Sequence, residues 1–329
     1  MITDNRPQAR LRLDAHDHGM VLRHGDGPEG CDRDVAREAI IFQEDGVYHL
    51  FYDGGGGPNG WRVCLATSRD LLHWEKHGPI MDLGEPGEMD SAAVVSPWVI
   101  QSGGRWHMFY IGTPNLYENV PTFPYLTFKA YSHSLGGPWT KQKGLIPFKT
   151  EENTYHSITA SAGHIVQVGD EFRMFFSCTT SRPGHDCVLR TIGIARTHDL
   201  DSTWTLDPQP ALPVDEQIEN TSLYYEPANG LWFLFTNHIT LQDYEYTDAV
   251  WVYWTNDLDH WDPENKAVVL DQHNCTWAKT SIGMPSVIQV GERLALLYDA
   301  CPGTEMSNWH RDIGLAWLNL PLVPPARTA

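Results

Sequence analysis

Short apolar runs recur along the chain at nearly regular intervals, and each has the length of a β-strand. Five of these runs carry large residues at their end, and they read YHLFY (48–52), WHMFY (106–110), FRMFF (172–176), WFLFT (232–236) and LALLY (294–298). Successive runs begin about 60 residues apart, a period that is typical of repeated supersecondary units. The hydrophobic pattern therefore predicts five copies of one structural unit.

Each unit has the pattern of four short antiparallel strands. Four of the runs follow an apolar strand and a turn, which reads EDG (44–46), SGG (102–104), VGD (168–170) or VGE (290–292). A third strand then leads into a second signature, SRDLLHW (68–74), SHSLGGPW (132–139), THDLDSTW (197–204) or TNDLDHW (255–261), before a short fourth strand. This spacing leaves no room for helices. We therefore predict an all-β fold, a five-bladed β-propeller of four-stranded antiparallel blades. The competing architecture, a β-sandwich or jelly roll, would not show this period.

The two ends of the chain are predicted to share the last blade. The fifth unit ends after its third strand, DIGLAWL (312–318), whereas the N-terminal sequence HGMVLRHG (18–25) matches HGPIMDLG (77–84), the fourth-strand region of the first unit. We therefore predict that the segment 16–25 completes the last blade and closes the ring. No linker separates the units, so residues 1–329 are predicted to form a single domain.

Composition supports this fold class and argues against several partners. The chain has 13 Trp, 13 Tyr, 28 Gly and 22 Pro, a mixture of strand-forming and turn-forming residues. Its formal net charge of −19 argues against nucleic acid and anionic membranes, because both require a basic surface. No stretch reaches the roughly 18 apolar residues that span a bilayer. The N-terminal sequence lacks the apolar core of a signal peptide, so we expect a cytoplasmic protein, or a secreted or periplasmic one if a leader has been removed.

The six cysteines are scattered, without the paired short spacing of a zinc site. Cys178 and Cys187 are close enough in sequence to form a disulfide across a hairpin; the alternative is that the cysteines are reduced, buried thiols. We expect no cofactor. A structural divalent ion on the propeller axis would be compatible with the fold, but the sequence has no signature for it and no signal for the oligomeric state.

Candidate functional residues lie at the starts of the predicted first strands, which converge at one mouth of a propeller's central channel. Three units place carboxylates there, namely Glu38, Asp90 and Glu219. Cleavage of a glycosidic bond requires two carboxyl groups in different environments, and crowding of carboxyl groups separates their pKa values. An acid at the start of a strand is also common as a turn or surface residue. The predicted sugar-binding residues near this mouth are Arg37, Trp61, Trp98, His156, Asn220 and His238.

The segment EDGVYHLFYDG (44–54) and the S-x-D-L-x-x-W signature resemble the five-bladed propeller glycosidases of families 32, 43, 117 and 130. The resemblance spans the chain at the level of blades and implies a glycosidase. These families place an acid, usually Asp, at the position of Glu38, and their second-blade Asp has its nearest counterpart in Asp90. Families 32 and 43 place their general acid, a Glu, where this chain has ASAGH (160–164) without a carboxylate. The shifted acids of families 117 and 130 then imply Glu219 as the acid.

These observations lead to the hypothesis of an exo-acting, inverting glycoside hydrolase that cleaves a glycosidic bond of an oligosaccharide or glycan side chain. Glu38 would be the base that activates water, Glu219 the acid, and Asp90 the residue that tunes the acid's pKa and binds sugar. Two alternatives stay open. A non-catalytic carbohydrate-binding propeller is favoured by the missing third-blade acid, and a glycoside phosphorylase would require a basic phosphate pocket, for which Arg37, Lys279 and Arg311 are the candidates. In all three cases the partner is a carbohydrate.

Overall fold

The computed structural model describes residues 6–57, 60–182, 184, 188–240 and 246–327. Strands make up 53% of the structure, and the helical segments described are two short 3-10 turns, Pro28–Gly30 and Val214–Glu216. The fold is thus nearly all β, as predicted. None of the described segments forms a helix with the length and apolar character needed to cross a membrane.

The strands group by sequence repeat. The N-terminal segment contains β1 (Leu11–Arg12) and β2 (His16–Leu22). Repeat 1 contains β3 (Val35–Glu44), β4 (Val47–Gly55), β5 (Trp61–Ser68) and β6 (Glu75–Pro79). Repeat 2 contains β7 (Ala93–Ser102), β8 (Arg105–Thr113), β9 (Leu116–Tyr117), β10 (Val120–Pro121), β11 (Leu126–Ser132) and β12 (Thr140–Lys141). Repeat 3 contains β13 (Thr159–Val168), β14 (Glu171–Thr180), β15 (Leu189–Thr197) and β16 (Thr205–Leu206). Repeat 4 contains β17 (Ile218–Glu226), β18 (Leu231–Thr240), β19 (Tyr246–Thr255) and β20 (Lys266–Asp271). Repeat 5 contains β21 (Gly283–Val290), β22 (Arg293–Ala300) and β23 (Asp312–Asn319).

Apart from the β9–β10 hairpin, successive strands within each repeat pair in antiparallel fashion, and in repeat 2 it is β8 and β11 that pair. Repeat 3 forms a separate four-stranded sheet, and β1 adds to the sheet of repeat 4 by parallel pairing with β20. Repeats 1 and 2 share one eight-stranded sheet, because β5 pairs with β7 in parallel through Trp61 and Ala93. The β9–β10 hairpin lies between β8 and β11 and forms its own two-stranded sheet.

The N-terminal strand β2 pairs with β23, the last strand of the chain. His16 lies opposite Trp317 and Leu22 opposite Ile313, and Leu22 packs in the same buried cluster as Ile313 and Leu315. β2 therefore supplies the fourth strand of the sheet of repeat 5 and covers an edge that β23 would otherwise expose.

Hydrogen bonds join the first strands of different repeats. Ser222 Oγ of repeat 4 accepts a bond from the Val287 N–H of repeat 5 at 3.0 Å, and Ser286 Oγ of repeat 5 accepts one from the Ile41 N–H of repeat 1 at 3.1 Å. His164 Nδ1 of repeat 3 accepts in the same way from repeat 4, at 3.2 Å. The series of bonds thus runs from repeat 3 through repeats 4 and 5 and back to repeat 1.

A β-bulge interrupts each first strand at an equivalent point. The register shifts occur between Arg37 and Ile40, Val95 and Trp98, Ser161 and His164, Glu219 and Ser222, and Gly283 and Ser286. Four residues at these bulges have a positive φ, namely Glu38 (52°), Ser96 (50°), Asn220 (57°) and Met284 (54°). A bulge redirects a side chain, and the left-handed conformation of a non-glycine residue costs about 1–3 kcal/mol. The bulge therefore redirects one side chain in each repeat. The backbone conformation that this requires lowers the stability of the fold.

Cys31, Cys64, Cys178, Cys275 and Cys301 are free and buried. Cys187 lies outside the described residues, and so does its proposed disulfide with Cys178.

Candidate active site

A cavity of about 230 Å³ lies where the first strands of the five repeats come together. All five repeats contribute first-strand residues to its wall, among them Glu38, Ser96, Ser161, Glu219 and Met284. A smaller hollow shares part of this wall and is lined by the equivalent bulge residues of all five repeats, which are Glu38, Ser96, Ala162, Asn220 and Met284. The bulges thus bring one side chain from each repeat to a common place.

Glu38 is held in this cavity by its side chain and its backbone. Its carboxylate accepts a hydrogen bond from Ser96 Oγ and lies 3.4 Å from a guanidinium nitrogen of Arg37. Its main-chain N–H donates to Asp299 Oδ2 at 2.7 Å. The side chain is 13% exposed. Glu38 is therefore a fixed carboxylate that solvent still reaches.

Two fully buried acids, Asp53 and Asp299, hold the backbone of the cavity residues. Asp53 accepts the Ser96 N–H at 2.8 Å, just as Asp299 accepts the Glu38 N–H. Burial raises the pKa of Asp53 well above its usual range, and the nearby charge of Glu38 raises it further. Burial also raises the pKa of Asp299, although Arg311 opposes this shift. Sequence analysis missed both acids, which directly follow the repeated runs YHLFY (48–52) and LALLY (294–298).

Glu219 lies on β17 and faces the same cavity. Arg190, from β15 of repeat 3, donates its Nε–H to Glu219 Oε2 at 3.0 Å, and this pairing stabilises the negative charge of the carboxylate. The Glu219 side chain is 24% exposed. Its main-chain carbonyl accepts a bond from Thr236 Oγ1 at 2.7 Å. Arg190 was not predicted, because it belongs to a third strand and its reach into the cavity depends on packing between repeats.

A second cavity of about 290 Å³ shares Arg190 and Glu219 with the first. Arg311 also lines it, but this buried guanidinium donates to Asp299 and, at 2.7 Å, to the Ser281 carbonyl. The positive charge of Arg311 is therefore largely balanced by Asp299 within the protein. Lys279 lines neither cavity, since its ammonium group donates to two carbonyls, including that of Cys275 at 2.9 Å.

Asp90 does not lie with the other two predicted carboxylates. It is buried, it lines neither cavity, and its Oδ2 accepts hydrogen bonds from Tyr110 OH at 3.1 Å and Lys141 Nζ at 2.6 Å. Repeat 1 contains the same arrangement, in which Asp32 Oδ2 accepts from Tyr52 OH at 3.2 Å and from a lysine at 2.6 Å. Each aspartate precedes its tyrosine by 20 residues. We call Asp32 and Asp90 the latch acids, because they tie the start of a repeat to its second and fourth strands.

Trp61 is 1% exposed and offers no face to a sugar. Its indole N–H donates to the Asn119 carbonyl at 2.7 Å, and its ring lies 5.0 Å from that of Trp309. The Arg37 guanidinium stacks over the same ring at 4.8 Å. Trp61 therefore supports Arg37 and contacts both the β9–β10 hairpin of repeat 2 and the connection 301–311 of repeat 5. Its ring points into the core because side chains alternate between the two faces of a strand.

The other predicted sugar-binding residues divide into two groups. Arg37 and Asn220 line the first cavity, of about 230 Å³, and Trp98 lines the smaller hollow, although Trp98 is mostly buried. His156 and His238 are buried and line none of these cavities. The His238 ring stacks on a tryptophan 3.9 Å away, and its Nδ1 pairs with an aspartate at 2.7 Å.

One wall of the first cavity, of about 230 Å³, comes from the connection between β8 and β11. Val120, Pro121, Phe123 and Tyr125 of this connection line the cavity. Burial raises the pKa of Tyr125 to about 12, and the charges of Glu38 and Glu219 act on its hydroxyl. The sequence signal was the length of this connection, NLYENVPTFPY (115–125), since long loops are often functional. Within the described parts of the chain, no three His, Cys, Asp or Glu residues are grouped to hold a metal ion.

No family model matches the chain. A curated protein, the 1,2-beta-oligomannan phosphorylase of Thermoanaerobacter sp. (strain X514), is 28% identical over 133 residues, which cover 36% of this chain and 44% of that protein. The matched region thus spans less than half of the length of this relative.

Solved structures match over nearly the whole chain. A protein whose structure is described as a complex with RGII has a TM-score of 0.73 at 15% identity, and the match covers 95% of this chain and 96% of that protein. The chain resembles the propeller glycosidases. A structure from the family-130 mannoside phosphorylases, a family described as containing hydrolases of β-1,2-mannosidic linkages in Candida mannan, has a TM-score of 0.68 at 14% identity, with 99% coverage of each protein. A family-117 glycoside hydrolase of Zobellia galactanivorans has a TM-score of 0.66 at 14% identity, with 94% and 93% coverage. At these low identities, the structural matches show a shared fold.

Proposed function

We propose that this protein is a glycoside hydrolase in which Glu38 and Glu219 are the two catalytic carboxyl groups. The observation that carries the proposal is that these side chains, from the first strands of repeats 1 and 4, line one cavity. Two carboxyl groups on either side of a glycosidic bond are what its hydrolysis requires. The propeller glycosidase fold supports the proposal as an analogy.

In the proposed inverting mechanism, Glu38 is the base. Ser96 and Arg37 hold its carboxyl group in place, and it removes a proton from the water whose oxygen attacks the anomeric carbon. Glu219 gives its proton to the leaving oxygen as the glycosidic bond breaks, and Arg190 stabilises the carboxylate that Glu219 becomes. Water adds across the bond, and the anomeric configuration inverts.

The shape of the cavity supports an exo-acting enzyme. The β9–β10 hairpin and the connection 301–311 both contact Trp61, through Asn119 and Trp309. Residues of both segments, including Val120 and Asn308, also line the cavity. Two loop segments attached to Trp61 thus contribute to the wall of the cavity, and we propose that this wall accommodates the end of an oligosaccharide or glycan side chain. The relatives named for β-1,2-linked mannose make β-1,2-mannooligosaccharides the first substrates that we propose.

The test compares Glu38→Gln with Glu219→Gln on two substrates, β-1,2-mannobiose and 2,4-dinitrophenyl β-mannoside. Loss of either group should lower kcat on mannobiose by about 10²–10⁴-fold. Glu219→Gln should keep much more activity on the dinitrophenyl glycoside, because this leaving group requires no proton, whereas Glu38→Gln should lose both activities. NMR of the first product anomer tests inversion.

Glu88→Gln is the matched control, since Glu88 pairs with Lys143 and lines none of the cavities. Full activity of both Glu38→Gln and Glu219→Gln would contradict the assignment. Binding of mannooligosaccharides without any turnover would instead support a non-catalytic sugar-binding propeller.

A phosphorylase is the second candidate, and the arginines favour it. Arg37, Arg190 and Arg311 line the two adjoining cavities, and the curated relative is a phosphorylase. Each of these guanidinium groups already pairs with a carboxylate, so we rank phosphorolysis second. Reactions in phosphate and in phosphate-free buffer distinguish the two activities, because only a phosphorylase requires phosphate and forms a sugar 1-phosphate.

We also propose that the five repeats close into a single five-bladed domain. The bonds from repeat 5 back to repeat 1 and the pairing of β2 with β23 support it. Deletion of residues 1–25 should lower Tm sharply, whereas deletion of residues 1–10, which ends before β1, should lower it much less. An unchanged Tm after the longer deletion would contradict ring closure by this segment.

A further inference from the structure

The connection between the second and third strands is much longer in repeat 2 than in repeat 1. It runs from residue 114 to 125 and contains β9 and β10, whereas the corresponding connection of repeat 1 runs from residue 56 to 60. The hairpin is absent from the described equivalents in the other repeats. The connection 301–311 of repeat 5 is nearly as long but has no hairpin. A long connection with its own hairpin beside the cavity indicates a function beyond the architecture.

Hydrogen bonds hold the connection together and attach it to repeat 1. Asn115 Nδ2 donates to the Phe123 carbonyl at 2.9 Å, and Trp61 Nε1 donates to the Asn119 carbonyl at 2.7 Å. The Tyr125 hydroxyl donates to the main chain of the same connection at 2.7 Å. Three hydrogen bonds therefore hold the backbone that carries Phe123, and such preorganisation lowers the entropic cost of binding.

Phe123 is the exposed ring of the cavity wall. It lines the cavity and is 40% exposed, and its ring lies 5.1 Å from that of Tyr125. Tyr125 in turn lies near enough to both Glu38 and Glu219 to be affected by their charges. A fixed aromatic face that adjoins two carboxylates is suited to the apolar C–H face of a pyranose ring.

We propose that Phe123 is the stacking platform of a second sugar-binding subsite, which holds the leaving-group sugar. In this arrangement the glycosidic bond that is cleaved lies between the side chains of Glu38 and Glu219. This inference rests on the proposed function. The subsite takes a neutral pyranose with an unsubstituted C–H face, so the site favours chains of two or more sugars over a monosaccharide.

Calorimetric binding to the full-length Glu38→Gln protein, which prevents turnover, tests the proposal with mannose, β-1,2-mannobiose and β-1,2-mannotriose. Mannotriose should bind more tightly than mannose. Phe123→Ala should weaken mannotriose binding about tenfold, within the range of one aromatic contact, and leave mannose binding unchanged. Phe123→Tyr, which retains the ring, should restore binding.

Tyr117→Ala is the matched control. Tyr117 lies on the same hairpin and is 68% exposed, but it does not line the cavity, so its loss should change none of the affinities. Equal loss in both alanine variants, or no loss in Phe123→Ala, would overturn the subsite while leaving the hydrolase proposal intact. Absence of binding by all three sugars would overturn the subsite together with the proposed mannoside substrate, and turnover assays on wild-type protein would then decide the hydrolase separately.

Discussion

The latch acids and the cavity carboxylates lie near the starts of equivalent strands, yet their surroundings differ. Asp32 and Asp90 are buried, and each accepts bonds from a tyrosine and a lysine of its own repeat. Glu38 and Glu219 are partly exposed, and each pairs with an arginine beside a shared cavity. The carboxyl groups of the latch acids thus stabilise the fold, whereas those of Glu38 and Glu219 are accessible to a substrate.

The repeats show how these two roles separate. At the latch, the side chain itself recurs, with the same spacing to tyrosine in repeats 1 and 2. At the bulge, the backbone recurs but the side chains are all different: Glu38, Ser96, Ala162, Asn220 and Met284. In an internally repeated protein, a recurring acid indicates a structural contact, and a unique acid on a recurring backbone indicates function.

The largest effect that tests this comparison is expected from Asp32→Ala. The substitution removes the acceptor of the Tyr52 hydroxyl and the buried carboxylate that pairs with Lys76, which keeps only the exposed Asp26 and a main-chain carbonyl, so the free energy of unfolding should fall by about 3–5 kcal/mol. Urea denaturation measures it. Asp26→Ala is the control, because Asp26 pairs with the same lysine from an exposed position and should change stability by less than about 1 kcal/mol. Equal losses of stability in Asp32→Ala and Asp26→Ala would contradict the structural role of the latch acid.

A pH titration tests the contact between the first strands of repeats 3 and 4 through His164, which is neither a latch acid nor a cavity residue. Burial lowers the pKa of His164 to about 4, and its Nδ1 accepts the Leu223 N–H. Because the unfolded chain takes up this proton near pH 6.5 and the folded protein does not, stability should fall by about 3 kcal/mol between pH 6.5 and 4. His164→Gln retains an acceptor without the titration and should show a smaller fall in urea unfolding. An identical fall would exclude His164 as its source.

Asp90→Asn should separate stability from activity. The amide oxygen still accepts from Tyr110, but Lys141 loses its charged partner, and unfolding free energy should fall by about 1–3 kcal/mol. Because Asp90 lines none of the cavities, kcat on mannobiose should stay within about twofold of wild type. A large loss of kcat at unchanged Tm would place Asp90 back among the catalytic residues.

The smallest effect concerns the strained backbone at Ser96. Ser96→Ala and Ser96→Gly both remove the hydroxyl that donates to Glu38, but only glycine relieves the cost of φ = 50°. The glycine variant should therefore be more stable than the alanine variant by about 1 kcal/mol. Thermal unfolding of the pair measures this difference. A more stable alanine variant would show that the bulge is not strained.

Much of the fold was predictable because strand patterns and turns are local. The runs that begin at Tyr48 and Trp106 lie in β4 and β8, and the match between 18–25 and 77–84 corresponds to the strand β2 that pairs with β23. The equal spacing of Asp32 to Tyr52 and of Asp90 to Tyr110 was also present in the sequence, and it would have identified Asp90 as a latch acid.

Other features required the packed structure. A bulge shifts the alternation of a strand by one residue, so sequence parity does not reveal which of Arg37, Glu38 or Ala39 faces the cavity. The ring of Trp61 points into the core, and those of His156 and His238 are buried in the same way. Asp53 and Arg190 act on cavity residues of neighbouring repeats, and such contacts between distant segments leave no local signal.

The sequence by itself determined the repeats, the strands and their turns, because these follow from periodicity and from the conformational preferences of a few neighbouring residues. Tertiary structure alone decided which acids share a cavity and which are latched, because bulge geometry and packing between repeats orient each side chain. Glu38 and Glu219 are 181 residues apart in the sequence, and only the arrangement of the repeats brings them to one cavity.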